Sequence, residues 1–110
     1  ISKQVASQVE SYHQRQLSDK FFCVYLDATY IHTYQREAVY VAAGIKPNGH
    51  KEIIDYRIAP VENIEIWGEM ISNFKERSLE QVELFLSDGF VGIKDMLKQY
   101  YPKSKFQRCL

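Results

Sequence analysis

The chain has 110 residues, 45% of them hydrophobic and 25% charged, enough for one domain with a single core. Its 14 Lys and Arg balance 14 Asp and Glu, so it lacks the basic excess that gives a stand-alone nucleic-acid binder most of its non-specific affinity. No apolar run approaches the ~18 residues of a membrane span, and no signal peptide is visible. The two cysteines, Cys23 and Cys109, are too few for a secreted disulfide scaffold, which predicts a reducing, cytoplasmic setting and no membrane partner.

Residues 1–16 space Ile1, Val5, Val9 and Tyr12 at helical intervals, the pattern of a short amphipathic helix. Ser18 and Asp19 mark a turn. The run FFCVYLDA at 21–28 predicts a first strand, with Phe22, Val24 and Leu26 on one face and Cys23, Tyr25 and Asp27 on the other. Residues 29–36 are polar and aromatic and read as a loop or strand end. A second strand follows over 38–45. Lys46-Pro47-Asn48-Gly49 reverses the chain, because proline pre-sets φ and Asn-Gly tolerates positive φ. Residues 50–58 return as the third strand, antiparallel to the second.

Pro60 ends that segment. Asn63 is the expected N-cap of a helix whose stripe is Ile64, Trp67, Ile71 and Phe74, running to about Arg77. A fourth strand over 82–87 is reached through that helix and is therefore expected to lie parallel to the first. Asp88-Gly89 opens a second helix with Ile93, Met96, Leu97 and Tyr100 facing inward. Pro102 stops it, and a fifth strand begins at Ser104. The order β-β-β-α-β-α-β differs from a doubly wound domain, which places a helix after its first strand. It is the order with which the ribonuclease-H-like α/β fold begins. In that fold the first and fourth strands are neighbours.

Asp27 and Asp88 each end an apolar strand, FFCVYLD and LFLSD. A carboxylate at the edge of a buried strand is costly without a cation or hydrogen-bond donors to compensate it. Two of them on neighbouring strands predict a shared divalent-cation site, with Mg²⁺ or Mn²⁺ the fitting ions because both take hard oxygen ligands. Phosphodiester cleavage by two metal ions about 3.5–4 Å apart needs such rigid oxygen ligands. The structural alternative makes Asp27 a strand-end residue bonded to loop amides and Asp88 a helix cap.

The strings LDATY, AVYVAAGI followed by NGHKEI, a tryptophan-bearing helix, LFLSDGFVGI and FQRCL together resemble the catalytic core of Mutator-type bacterial insertion-sequence transposases, over about residues 20–110. The resemblance implies a DDE enzyme: a ribonuclease-H-like domain that cleaves DNA and transfers strands with two aspartates, a glutamate and Mg²⁺ or Mn²⁺. Asp27 carries over as the first acid and Asp88 as the second. The glutamate of the family lies beyond a helical insertion after the fifth strand, and none of Glu52, Glu62, Glu65, Glu69, Glu76, Glu80 or Glu83 matches it. The expected organisation is thus a helix or linker over 1–18 and a truncated catalytic domain over 19–110, inactive as it stands. DNA and further copies of the chain are the partners the resemblance implies for a full-length protein acting at the bacterial nucleoid. Cys109 matches a family cysteine, while its composition-level reading is a small buried apolar residue.

His32, Arg36, Lys105 and Arg108 are candidate DNA contacts, set against a reading as solvated surface. His13 and His50 show no metal-ligand spacing, and Trp67 reads as core. Three other functions fit parts of the pattern. Another ribonuclease-H-like nuclease or resolvase would share the acid pair. A phosphoaspartyl domain built on Asp27 would want an acid where Thr29 stands. A non-catalytic interaction module would suit the zero net charge.

Overall fold

The computed structural model describes residues 3–31, 36–60, 64–88 and 92–108, with the backbone alone for 3–7. Eight elements follow one another: α1 (Lys3–Gln14), β1 (Lys20–Ile31), β2 (Glu37–Ile45), β3 (Lys51–Pro60), α2 (Ile64–Glu76), β4 (Gln81–Ser87), α3 (Ile93–Tyr100) and β5 (Lys105–Arg108). The mixed α/β architecture and element order are those expected from the sequence. β1 extends through Thr29, Tyr30 and Ile31, which pair with Val39, Ala38 and Glu37. The predicted cap Asn63 lies outside the described residues.

The five strands form one sheet in the order β3-β2-β1-β4-β5. β1–β2 and β2–β3 are antiparallel, whereas β1–β4 and β4–β5 are parallel. The β2–β3 reversal closes with Lys46 N–H donating to His50 O and Gly49 N–H to Lys46 O, both at 2.8 Å. Gly49 alone takes the left-handed backbone there, at φ 90°, and Asn48 contributes through its side chain, whose Oδ1 accepts from His50 N–H at 3.0 Å.

The core lies between the sheet and the pair α2–α3. Trp67, Met70, Ile71 and Phe74 of α2, with Ile93 and Leu97 of α3, are buried against Val24 and Leu26 of β1, Tyr40 and Ala42 of β2, Ile54 of β3 and Phe85 of β4. Burying each such large side chain contributes roughly 1.5–3 kcal/mol. Trp67 meets the Tyr40 ring edge-on at 5.2 Å between centroids. Ile64, expected on this stripe, is exposed.

One facing differs from the alternation expected for β1. Phe21, rather than Phe22, joins Val24 and Leu26 in the core, and Phe22 is 54% exposed. The parallel ladder passes from Phe21–Val82 directly to Cys23–Leu84. The same step occurs in β4, where Val82 and Phe85 are buried and Glu83 is exposed. Both strands therefore break their two-residue period together, and Phe21 turns beneath β2. It fits because Gly44 has no side chain: a Cβ there would meet Phe21 ring carbons at 2.6 Å and Ile54 Cδ1 at 2.8 Å.

α2 ends in a Schellman arrangement, with Leu79 N–H donating to Phe74 O at 3.0 Å and Ser78 N–H to Lys75 O at 3.1 Å. Ser78 occupies the left-handed position at φ 77°, where glycine is the usual residue. The accompanying apolar contact is supplied by Leu79 and Phe74, both fully buried.

A buried ion cluster fastens α1 and the end of α2 to β3. Asp55 is fully buried. Its Oδ1 accepts from Tyr56 N–H at 2.9 Å and from Arg57 Nη1 at 2.8 Å, and lies 2.6 Å from His13 Nδ1. Its Oδ2 faces Arg77 Nη1 at 3.2 Å as an ion pair, off hydrogen-bond alignment. Burial pushes the Arg77 guanidinium below the usual arginine range, and Asp55 pulls it back up. Arg77 also ties three backbone segments, donating to Arg15 O at 2.9 Å, Ile54 O at 3.1 Å and Tyr12 O at 3.4 Å.

Three outcomes are expected in urea unfolding of the chain. Gly44→Ala loses about 1–3 kcal/mol, because the added methyl overpacks a filled site. Ser78→Gly gains about 0.5–1 kcal/mol by removing a left-handed serine. Asp55→Ala loses about 3–5 kcal/mol, since Arg77 is left buried without its anion; a loss near zero would show that the cluster is dispensable.

Candidate metal centre

Asp27 stands on the central strand β1, opposite Val41 of β2. The parallel β1–β4 ladder closes with Leu26 opposite Ser87. Asp27 and Asp88 are the next residues on the two strands, so the register carried one step further sets them side by side. Adjacent strands lie about 4.8 Å apart, and laterally paired residues present their side chains to the same face. That face is the one opposite the helices, carrying half-buried Tyr25, Val41, Ala43, Leu84 and Leu86. Continued in this way, the register would bring both predicted acids to the same end and the same face of the β1–β4 pairing.

Their surroundings differ. Asp27 is half-buried and Asp88 exposed. Among the described residues, neither carboxylate has a hydrogen-bond or ion-pair partner. Two anions directly across a ladder repel one another, and nothing among the described side chains offsets that repulsion. The donor set suits a hard divalent cation: two carboxylates supply oxygen ligands and leave room for waters and a phosphate oxygen. Among the described residues no group of three His, Cys, Asp or Glu side chains converges, so a third protein ligand is not found there.

Ser87, which the sequence reading passed over, adjoins this centre. Its side chain is fully buried, and its Oγ donates to the Asp88 carbonyl at 2.8 Å. The string SDG held a signal for it, namely a hydroxyl at the last core-facing position before the acid.

The four candidate DNA contacts separate. Arg108 pairs in register with Ser87, which puts it at the aspartate end of the sheet, exposed. Lys105 pairs with Leu84, three residues back along the strand or about 10 Å. Arg36 lies beyond the end of β1 at φ 51°, exposed, on the connection to β2. His32 lies outside the described residues, as do Gly89 and Cys109.

A cleft of about 450 Å³ opens at the other end of the sheet, lined by Lys20, Lys75, Glu80, Tyr101 and Lys103 among others. Tyr101 is no nucleophile there: burial, reinforced by Glu80, pushes its hydroxyl well above the usual tyrosine range. Its O–H donates to Leu79 O at 2.8 Å, and Lys75 Nζ sits 4.2 Å over its ring. The cleft is separate from the acids, whose chemistry depends on an exposed sheet end.

The chain is 66% identical to the transposase for insertion sequence element IS1201 of Lactobacillus helveticus, an alignment that takes in all of this chain and 31% of that protein. It is 36% identical to the transposase for IS905 of Lactococcus lactis subsp. lactis, over all of this chain and 29% of that protein. It is 29% identical to the transposase for IS256 in transposon Tn4001 of Staphylococcus aureus, over 99% of this chain and 30% of that protein. The chain thus spans about a third of the length of these relatives. The family described as "Transposase, Mutator family" matches residues 1–110; with that match end to end, the chain belongs to the Mutator family of transposases.

Proposed function

We propose that this chain is the first part of a ribonuclease-H-like catalytic domain in an insertion-sequence transposase, with Asp27 and Asp88 as its two metal-binding carboxylates. The observation that carries the reading is the register of β1 on β4. Continued one step, it would set side by side two acids that have no partner among the described residues, where the parallel β1–β4 pairing ends. The sheet order β3-β2-β1-β4-β5, with its antiparallel first three strands, supports the fold assignment. Relatives named as insertion-sequence transposases support DNA transposition over a resolvase or an interaction module.

Mg²⁺ or Mn²⁺ bound there would polarise the scissile phosphate and activate the attacking water or 3′-hydroxyl. The chain's own residues supply the frame. Asp27, on the central strand with neighbours on both sides, is the rigid ligand. Asp88, just past the end of β4, is the outer one. Arg108, at the same sheet end but in register with Ser87 of the helix-covered face, would offer a guanidinium to a DNA phosphate, which it can grip with two parallel N–H donors; Arg36 and Lys105 are further candidate backbone contacts, as is His32, which lies outside the described residues. The third acid comes, in this reading, from outside the 110 residues, and the isolated chain binds metal without turning over DNA. The whole protein works on element ends and target DNA as a homo-oligomer in the bacterial cytoplasm.

Mn²⁺ titration followed by paramagnetic broadening of backbone amides tests the site directly. The wild-type chain is expected to broaden first at Ala28 and Asp88, and Asp27→Asn with Asp88→Asn to abolish that local effect. In a full transposase carrying this segment, either Asn substitution alone lowers strand cleavage by at least on the order of 100-fold. Unchanged local broadening in the double variant would sink the proposal.

A further inference from the structure

Ser87 is the last residue of β4 and immediately precedes Asp88. It lies on the helix-covered face, in register with the core residue Leu26 on one side and Arg108 on the other, and its side chain is out of reach of solvent. A hydroxyl in that position must find its partner within the protein. The partner is the next backbone carbonyl, Asp88 O at 2.8 Å. Short side-chain-to-backbone bonds of this kind compete with ladder pairing and fix the direction of a peptide where pairing stops.

The consequence for Asp88 is geometric. Its amide side follows directly from the last paired residue of β4, and its carbonyl side is held by the Ser87 hydroxyl. With both backbone arms of a tetrahedral Cα fixed, the direction of Cβ is fixed as well. The anchor reaches in from the core face, so a strand continued in register would carry the carboxylate on the opposite face, beside Asp27. Without the anchor, an exposed residue at a strand end is free to turn, because Asp88 O can exchange its bond for one to water at little cost to folding.

We propose that Ser87 is a positioning residue, whose buried hydroxyl holds the Asp88 backbone so that its carboxylate stays on the Asp27 face as a cation ligand. This rests on the assignment of Asp27 and Asp88 as metal ligands. A purely structural hydroxyl would affect stability and leave metal affinity untouched, whereas a positioning hydroxyl does the reverse.

Mn²⁺ dissociation constants from amide broadening, measured beside thermal unfolding, separate the two. Ser87→Ala is expected to weaken Mn²⁺ binding by about tenfold with little change in Tm. Ser87→Cys, nearly the same size but a poor donor, is expected to do the same and serves if the alanine variant does not fold. Ser87→Thr keeps the hydroxyl and restores wild-type affinity. Wild-type Mn²⁺ affinity in Ser87→Ala or Ser87→Cys, with binding abolished in Asp27→Asn/Asp88→Asn, overturns the role of Ser87 and leaves the metal site standing. An equal loss in Ser87→Thr also overturns it, by assigning the effect to packing. Binding that survives Asp27→Asn/Asp88→Asn removes the site itself, and the role of Ser87 with it.

Discussion

The parallel pairing of β1 with β4 is the constraint from which the rest of the structure follows. Two neighbouring strands that run the same way cannot be joined by a tight turn, so the chain between them must cross over the sheet. Here it first lays down β2 and β3 as an antiparallel extension and then returns through α2 across one face. α2 can cross only if that face of the sheet is apolar, and the core of Trp67, Met70, Ile71 and Phe74 against Val24, Leu26, Tyr40 and Ile54 meets that need. The same pairing ends at Leu26 and Ser87, the residues immediately before Asp27 and Asp88. Fold and site are therefore two results of one strand register.

The outer edge of the sheet is secured by different means. Among the described residues β3 has no strand on its far side, and an open edge invites pairing with other chains. Side chains from elsewhere occupy two of its carbonyls: the Tyr12 hydroxyl donates to Ile53 O at 2.6 Å and Arg15 Nη2 to the same oxygen at 2.7 Å, while Arg77 reaches Ile54 O. This polar lock stands where the β2–β3 register shifts, beside Ala42 and Ala43. Asp55 is what gathers its members, drawing the His13 ring from α1 and the cations Arg57 from β3 itself and Arg77 from the end of α2. Such a cluster adds less to stability than an apolar replacement could, but each member is costly to remove alone.

What could be read from the sequence was whatever depended on local pattern. The turn at Lys46–Gly49, the stop at Pro102 and the stripe of α2 each rest on residues whose backbone preferences or periodicity act within a few positions. The adjacency of β1 and β4 was legible because element order restricts how a mixed sheet can be wound. Phe21 was misassigned since its burial depends on a space left by Gly44 on another strand, which no local pattern records. Asp55 was overlooked although HKEIIDYRI carries the same signal as the string around Asp27, a single acid within an apolar run. The difference is that Asp55 is answered by arginines, Arg57 two residues on and Arg77 remote in sequence, with the His13 ring from α1 beside them. Isolation of a strand acid is visible in a sequence; whether a cation or an arginine answers it is not.

That contrast between Asp55 and the pair Asp27–Asp88 bears on how the site works. Both places put carboxylates in a sheet. At Asp55 the protein supplies positive charge in excess and buries the result, and the outcome is a fixed strut. At the β1–β4 end it sets two acids beside each other, gives them no cation among the described side chains, and leaves one of them exposed. Folding tolerates this because charge at an exposed sheet end remains partly hydrated, so the repulsion is weakened rather than cancelled. For the dication proposed above, that unrelieved charge would be a source of affinity, because binding would remove the repulsion.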